Sequence, residues 1–216
     1  MKYFPLLLPL FLFACSSPVS DKKEITAKDP SQTQTLFAFE KDGRYGYKDA
    51  KGKEILAPKY MEVFTDTFDH RMALVADSVE GVIAIDHTGK KLFTPFIFDN
   101  GPDYFSEGVF RYTENNKMGF ANLDSIVLPA KYDFVTPFHE DLACFGSGFK
   151  MSRGEEGTSL SGGKWGFINM KGDTVIAPRF DEPAEFKNGK ADVKEKGKEK
   201  TISKDGKEIK RESLHE

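Results

Sequence analysis

Short apolar runs separated by turn residues recur along the chain from about residue 36 onward. A turn residue precedes each run and a proline closes it. The four clearest runs occupy residues 55–58, 92–95, 126–129 and 175–178. Runs of this length bounded by Gly, Asp, Asn and Pro are typical of β-strands. A proline cannot donate to a strand ladder, so each of these prolines marks a strand end or a sheet edge; they are Pro58, Pro95, Pro129 and Pro178.

A turn glycine before each run gives the period. It occurs at Gly52, Gly89, Gly172 and Gly206, with Ser125 in the same position of the third unit. Neighbours are about 37, 36, 47 and 34 residues apart, which is in the range of structural repeats. A second glycine lies six residues earlier, at Gly46, Gly119 and Gly166, and Ile83 and Lys200 replace it in the second and fifth units. The pattern predicts about four and a half tandem units.

Each unit continues in the same way after its proline. A large apolar residue follows (Tyr60, Ile97, Tyr132, Phe180), then a Phe (Phe68, Phe105, Phe138, Phe186) and a strand-like tetrad that closes the unit. Outside the N-terminal segment, no window of helical length has apolar residues at helical spacing. The prediction is an all-β fold of tandem β-hairpin repeats, arranged as a solenoid, a barrel or a propeller-like ring.

The fourth unit carries a family resemblance. Residues 164–193 read Lys-Trp-Gly-Phe-Ile, a turn glycine, Ile-x-Pro-x-Phe-Asp, and then Phe-x-x-Gly-x-Ala-x-Val, with Trp165 and Gly166 at the start. This unit resembles the WG repeat of bacterial proteins. The first and third units match it well, the second loosely and the fifth in its first half, over roughly residues 36–210. The resemblance implies a β-repeat scaffold and little about mechanism.

The N-terminal segment, residues 1–15, has the features of a lipoprotein signal peptide. Lys2 precedes a run of apolar residues and prolines that is too short to span a bilayer, and Cys15 follows at the expected cleavage point. The segment resembles a bacterial lipobox, which implies lipidation of Cys15 and anchoring by acyl chains such as palmitate. An ordinary signal peptide is the alternative. Ser16 after the cysteine favours the outer membrane if the host is Gram-negative.

The remaining chain divides by composition. Residues 16–35 are polar and predict a flexible tether, residues 36–210 the WG-repeat β domain, and residues 211–216 a tail. Residues 146–163 are rich in Gly, Ser and Glu and break the period. We interpret them as an inserted loop, which is either a tolerated surface loop or part of a binding face. The polar last unit suits a terminal cap.

The sequence contains no catalytic motif. A lipidated Cys15 would leave Cys144 without an intramolecular partner, and period 2 places its side chain on the opposite strand face from Ala143 and Phe145. No metal-ligand spacing joins the histidines His70, His87, His139 and His215, which fall in turns or the tail and are expected to be exposed. Aspartates recur at Asp49, Asp86, Asp133 and Asp181, which favours turn capping. Cofactors and metals are therefore not expected.

Composition leaves three functional hypotheses. The net charge of −3 gives no basic field for nucleic acid. The first hypothesis is a lipid-anchored, non-catalytic binding or scaffolding module at the cell envelope, with a protein or glycan partner. The others are a carboxylate-dependent glycan hydrolase and a structural spacer. A set of aromatic residues could form a stacking surface or belong to the core: Tyr45, Tyr47, Tyr60, Tyr104, Tyr112, Tyr132 and Trp165.

Overall fold

The structure is a computed structural model that describes residues 34–154 and 157–210, and all of its regular elements are β-strands. The signal peptide with Cys15, most of the tether and the tail lie outside these residues. No helix in the described part is long and apolar enough to cross a membrane.

The strands of the first half are β1 Leu36–Lys41, β2 Arg44–Lys48, β3 Glu54–Tyr60, β4 Glu62–Val63, β5 Thr67–Phe68, β6 Ala73–Asp77, β7 Gly81–Ile85, β8 Lys91–Pro95, β9 Ile97–Phe98 and β10 Gly101–Pro102. Those of the second half are β11 Phe110–Glu114, β12 Lys117–Ala121, β13 Ile126–Tyr132, β14 Phe134–Val135, β15 Leu142–Gly154, β16 Gly157–Asn169, β17 Thr174–Phe180, β18 Lys190–Glu195 and β19 Lys198–Ser203.

The strands form five antiparallel modules. Modules 1 to 4 each have three main strands, which are β1–β3, β6–β8, β11–β13 and β15–β17. Module 5 has β18 and β19, and an isolated bridge from Ile202 to Glu208 stands in for a third strand. The tetrad that closes each sequence unit is the first strand of the next module, so sequence units and structural modules are offset by one strand.

The first strand of an internal module is buried on both faces. On β6, Val75 belongs to the core shared with module 1, and Leu74 belongs to the core shared with module 3. On β15, Phe145 faces module 3 and Cys144 faces module 5. The alternation predicted for Cys144 is therefore present, and both of its faces are covered. Consecutive modules thus pack face to face, with one hydrophobic core between each pair.

The stack of described modules is open at both ends. None of the four cores in the described part joins module 1 to module 5. Phe37 on the first strand of module 1 is 39% exposed. In the later modules, the equivalent residue packs against the preceding module. On module 5, the outward position is the exposed Asp192, which gives the last module the polar outer face typical of a terminal repeat. The sequence left a solenoid, a barrel and a propeller-like ring open. The described residues do not form a closed barrel.

The second-strand glycine allows a close backbone crossing. A Cβ atom built on Gly166 would lie 2.5 Å from the carbonyl oxygen of Ile176, and one built on Gly46 would lie 2.4 Å from that of Leu56. Gly119 has the same contact with Leu128, at 2.5 Å. At each site the register shifts, because the third strand carries extra residues opposite the glycine. Such a bulge bends the strand and interrupts the hydrogen-bond ladder. A proline, which has no amide to donate, is therefore tolerated there.

The turn glycines adopt the left-handed conformation that their turn requires. The φ angles of Gly52, Gly89, Gly172 and Gly206 lie between 78° and 83°. In the first of these turns, Asp49 accepts hydrogen bonds from the amides of Lys51 and Lys53, at 2.8 and 2.9 Å. The prediction for Ser125 was wrong, because the third turn is one residue shorter and closes by a hydrogen bond from the amide of Asn122 to the carbonyl of Ser125.

Residues 146–154 and 157–163 form two paired strands and not the predicted loop. Strands β15 and β16 stay paired from Leu142 and Asn169 out to Gly154 and Gly157. We call residues 149–162 the arm. Glycines with positive φ lie at its base, and the ring of Phe149 packs on Trp165 at 5.0 Å between centroids. The insertion therefore continues the ladder of module 4 beyond the neighbouring hairpins.

Replacement of Gly166 by Ala tests the close crossing. The added methyl must displace the backbone of β17, so we expect the free energy of unfolding to fall by about 1–3 kcal/mol. Urea denaturation measures this change. Gly101→Ala is the matched control, since nothing lies within 4 Å of a Cβ at Gly101 and its φ is ordinary. Equal effects of the two substitutions would contradict the role of the crossing.

Candidate binding cleft

Module 2 departs from the others in its third strand. We call the segment between the third strand of one module and the first strand of the next a junction. At the first three junctions, a backbone amide that follows the third strand donates a hydrogen bond to a backbone carbonyl in the first strand of the next module. The donor and acceptor pairs are Phe64 with Leu74, Phe96 with Arg111, and Thr136 with Cys144. Counted from the buried residue at the centre of the third strand (Leu56, Phe93 or Leu128), the donor lies eight positions later in modules 1 and 3. In module 2 it lies three positions later.

Module 2 is therefore shorter between the strand centre and the donor, and the residues it lacks include those that form the bulge in modules 1, 3 and 4. Ile83 occupies the glycine position of module 2, and β8 has no bulge opposite it. Strand β8 therefore runs directly into the next sheet, where Thr94 and Pro95 pair with β11. Modules 2 and 3 consequently share one seven-stranded sheet.

An insertion immediately after β8 restores the overall length of the repeat unit. Donor and acceptor are fifteen positions apart at this junction, compared with ten and eight at its neighbours. The extra residues form the β9–β10 hairpin. The alignment of Ile97 with Tyr60 and of Phe105 with Phe68 is corrected here. Ile97 and Phe105 are 46% and 48% exposed, whereas Tyr60 and Phe68 are fully buried. The regular spacing of the turn glycines concealed a deletion followed by an insertion.

A cleft opens where module 2 is shortened. Its volume is about 780 Å³. The apolar part of the lining includes Phe96, Met118 and Phe134, and the polar part includes Thr94, Thr113 and the tip of the β11–β12 hairpin, residues 114–116. Clefts of roughly 300–1,000 Å³ with an apolar lining and a few polar groups are typical of ligand sites.

Charges at the cleft are mostly paired. Lys91 forms an ion pair with Glu80 at 2.5 Å, and Asp133 binds the ammonium of Lys117. Burial opposes ionisation of Asp133, but its hydrogen bonds from Lys117 and from the amide of Phe149 outweigh this effect and lower its pKa. Glu114 is exposed and has no ion-pair partner among the described residues. The mouth of the cleft therefore carries one uncompensated negative charge.

The arm of module 4 starts at the wall of the cleft. Asp133 lines the cleft and also accepts a hydrogen bond from the amide of Phe149, at 2.9 Å. In the next module, Asp181 repeats this arrangement with Lys164 at 2.5 Å and with the amide of Gly197 at 2.7 Å. Asp133 and Asp181 thus each attach the hairpin of the following module to the module before it. At the cleft, the hairpin that Asp133 attaches is the one that carries the arm.

A buried ion pair supports the back of the cleft. Arg111 binds Asp103 through two side-chain hydrogen bonds of 2.8 and 2.7 Å, and its guanidinium lies 4.5 Å from the ring centroid of Phe96. The side chains of Arg111 and Asp103 are 5% and 1% exposed. Asp103 also accepts from the amide of Arg111 at 2.9 Å, a role that Thr65 has for Leu74 and Thr136 has for Cys144. No sequence signal pointed to this pair.

Other residues singled out in the sequence have structural environments. Cys144 is buried, and burial raises the pKa of its thiol to about 12, so the reactive thiolate is scarce at neutral pH. Pro129 lies one position earlier than Pro58 and Pro178 relative to the buried centre of its strand. Ala130 takes the proline position, and its amide donates to the hydroxyl of Tyr112 at 2.9 Å.

The aromatic residues mostly belong to the core, whereas one histidine prediction is corrected. Of the seven aromatic residues that could form a stacking surface or belong to the core, Tyr104 is exposed, Tyr45 is half-buried and the other five are buried. His87 is 5% exposed and stacks on Phe68 at 3.9 Å, contrary to the expectation of an exposed turn. His70 and His139 lie near carboxylates at the surface, and His215 lies outside the described residues.

The recurrent aspartates have two different roles. Asp49 and Asp86 accept amide hydrogen bonds within their own turns, as predicted. Asp133 and Asp181 instead bind lysines and the backbone of the next hairpin. The described residues contain no cluster of three or more His, Cys, Asp or Glu side chains that could hold a metal ion.

Comparison with protein families identifies the repeat. The model of the WG containing repeat matches residues 45–66, 123–146 and 165–198. The chain contains WG repeats. The matches cover parts of modules 1, 3, 4 and 5, and the unmatched residues 67–122 include module 2. The WG glycine is thus the residue of the close crossing, and module 2 lacks both that glycine and the bulge.

No curated protein matches the sequence of this WG-repeat chain. Among solved structures, the computationally designed protein Ika8 is similar at a TM-score of 0.35 and 11% identity. The similarity covers 80% of this chain and spans 60% of the length of the Ika8 chain.

Replacement of the buried ion pair tests its contribution. Asp103→Ala leaves Arg111 buried without its partner, so we expect the free energy of unfolding to fall by about 3–5 kcal/mol. The double variant Asp103→Thr, Arg111→Leu installs the residues found at the junction of modules 1 and 2, where Thr65 accepts from the amide of Leu74. We expect its free energy of unfolding, measured by urea denaturation, to equal or exceed that of the wild type. A double variant as unstable as Asp103→Ala would contradict this assignment.

Proposed function

We propose that this protein is an exported, lipid-anchored module of the bacterial cell envelope that binds a partner without catalysing a reaction. The cleft beside module 2 is its binding site. The observation that carries the proposal is the coincidence of the cleft with the module that departs from the repeat. A regular stack buries its residues against its neighbours, whereas the shortened β8 leaves an apolar recess open to solvent.

The surroundings of the cleft favour recognition of a ligand. Its lining is mainly apolar, and a few threonines and asparagines supply hydrogen-bonding groups that can orient a ligand. The arm stands at its wall and enlarges the surface within reach. Because the strands around the cleft belong to the shared sheet, the lining is held by the scaffold before a ligand arrives.

The lipid anchor rests on the sequence. Cys15 follows the apolar run of residues 4–13 at the cleavage position, and the polar residues 16–35 suit a tether between the anchor and the modules. In a Gram-negative host, Ser16 favours the outer membrane. The partner would then be a protein or glycan of the envelope.

A hydrolase has less support. General acid catalysis of glycoside cleavage requires a carboxyl with a raised pKa. Two carboxyls line the cleft: Asp133 has a lowered pKa and is engaged by Lys117, and Glu114 is exposed to solvent and not enclosed by apolar side chains. The spacer hypothesis does not account for the open apolar recess beside module 2.

Replacement of Cys15 by Ser tests the anchor. We expect the wild-type chain in the membrane fraction of its native cells, and the Cys15→Ser chain outside it, because serine cannot form the thioether to the lipid. Immunoblotting of the fractions measures this. Cys144→Ala is the control and should stay with the membrane. If Cys15→Ser stays there too, the anchor is wrong.

A cleft-filling substitution tests the binding site. Thr113→Trp places a large side chain in the cleft, so we expect the tagged full-length variant to lose partners that the wild type captures from solubilised envelope. Captured proteins and glycans are both identified. Thr174→Trp, on an exposed position of β17, is the matched control. A Thr113→Trp chain that folds and captures the same partners as the wild type would refute the assignment of the cleft.

A shortened arm separates the two interpretations of the insertion. Lys150 and Ser161 pair across the arm, so Asn-Gly in place of residues 151–160 keeps the register with a tight turn. Reduced capture by this chain would assign the arm to the binding surface, and unchanged capture would identify it as a tolerated insertion.

A further inference from the structure

Most third strands of this stack have protected outer edges. Strands β3, β13 and β17 lie at the ends of their sheets. Each is interrupted by a bulge opposite the WG glycine and carries a proline near its middle. Bulges and prolines are features that prevent an edge from pairing with another strand. These three edges are therefore poor templates for an added strand.

Strand β8 lacks the mid-strand proline and the bulge opposite the second-strand glycine. Its proline is its last residue, and module 2 has Ile83 in place of the glycine. Its one register shift, opposite Ala84 and Ile85, leaves Leu92 outside the pairing with β7 and has a counterpart in the three regular modules. On one side β8 pairs with β7, and on the other it pairs with β11 at Thr94 and Pro95. Within the described chain, residues 91–93 have no further backbone partner on that second side. Their free backbone groups border the cleft.

Strand β11 turns away where this free edge begins. It ends at Glu114, and the chain reverses through Asn115 and Asn116, which have φ angles of 51° and 59°. The position that β11 would occupy beside residues 91–93 therefore belongs to the cleft. A segment of three to four residues, about 10 Å long in extended form, would continue the line of β11 along β8.

The lining of the cleft specifies side chains for such a segment. In an extended chain, alternate side chains point to opposite faces, so one set can contact the apolar lining formed by Phe96, Met118 and Phe134. Glu114 lies at the end of β11, next to the free edge, and its charge has no ion-pair partner in the described residues. Lys91, which lies on β8 itself, is already paired with Glu80. A basic residue is therefore the complementary choice.

We propose that the cleft binds an extended peptide segment as an added β-strand along residues 91–93 of β8, with an apolar side chain on the cleft lining and a lysine or arginine beside Glu114. The proposal rests on the proposed function and specifies its ligand. Main-chain hydrogen bonds to the free edge supply affinity, and the apolar lining and Glu114 supply selectivity, as in other cases of strand addition.

The first experiment selects ligands from a phage-displayed library of random linear 12-residue peptides, with the full-length chain as target. Peptides that also bind the Thr113→Trp chain are removed. We expect the remaining peptides to share an apolar residue and a basic residue at fixed spacing. Selection of no cleft-dependent peptide overturns the proposal. The proposed function itself stands in that case if Thr113→Trp still loses capture from envelope.

The decisive experiment is a backbone N-methyl scan of a selected peptide, measured by isothermal titration calorimetry. Methylation removes one N–H at a time and leaves the side chains intact. Strand addition predicts losses of at least about tenfold at alternate residues, because every second amide faces β8. Losses with no such alternation, or no losses, overturn the proposal.

Glu114→Gln tests the charge without endangering the fold, because Glu114 is exposed. We expect the affinity for the selected peptide to fall by about two- to fivefold at low salt, and the effect to vanish for a peptide whose basic residue is replaced by glutamine. An equal loss for both peptides would exclude the pairing with Glu114.

Discussion

The contact between a glycine of the second strand and the backbone of the third governs the architecture of this protein. With a Cβ position only 2.5 Å from a carbonyl oxygen, no other residue fits at Gly166 without displacing β17. The crossing allows a bulge, and the bulge returns the buried aromatic residue after it, such as Phe180, to the core. It also interrupts the outer edge of the sheet. One backbone contact therefore both shapes the module and prevents it from pairing with other strands.

Module 2 lacks that contact, and its structure differs accordingly. Ile83 leaves no room for the crossing, β8 runs straight into the sheet of module 3, and the residues that would form the bulge are missing. The cleft and the open strand edge are two results of this one change. The buried pair of Arg111 and Asp103 then holds the inserted β9–β10 hairpin against module 3, where regular junctions use a threonine. The repeat supplies rigidity, and its irregular module supplies an accessible surface.

The sequence predicted the all-β repeat, the turn glycines and the strand faces, because these depend on local spacing and on the period of two. It did not predict the departure of module 2, since the deletion of the bulge and the nearby insertion both fall between Gly89 and Ser125 and leave that spacing at 36 residues, close to the 37 from Gly52 to Gly89. Ile97 and Phe105 were consequently aligned with Tyr60 and Phe68, whose buried positions they do not occupy. The arm was interpreted as a loop because its Gly and Ser content hid a continuous ladder. The pairing of Arg111 with Asp103 depends on how the inserted hairpin returns, which no local pattern reveals.

Restoration of a regular module 2 tests this account most directly. The chain itself supplies the replacement, because residues 57–71 can substitute for residues 94–108 at equal length, together with Ile83→Gly to admit the crossing and Arg111→Leu to remove the buried charge. Affinity for a peptide selected by the wild-type cleft is then measured beside the free energy of unfolding. The account predicts a chain at least as stable as the wild type that no longer binds the peptide. A regular, stable chain that binds the peptide with wild-type affinity would contradict it.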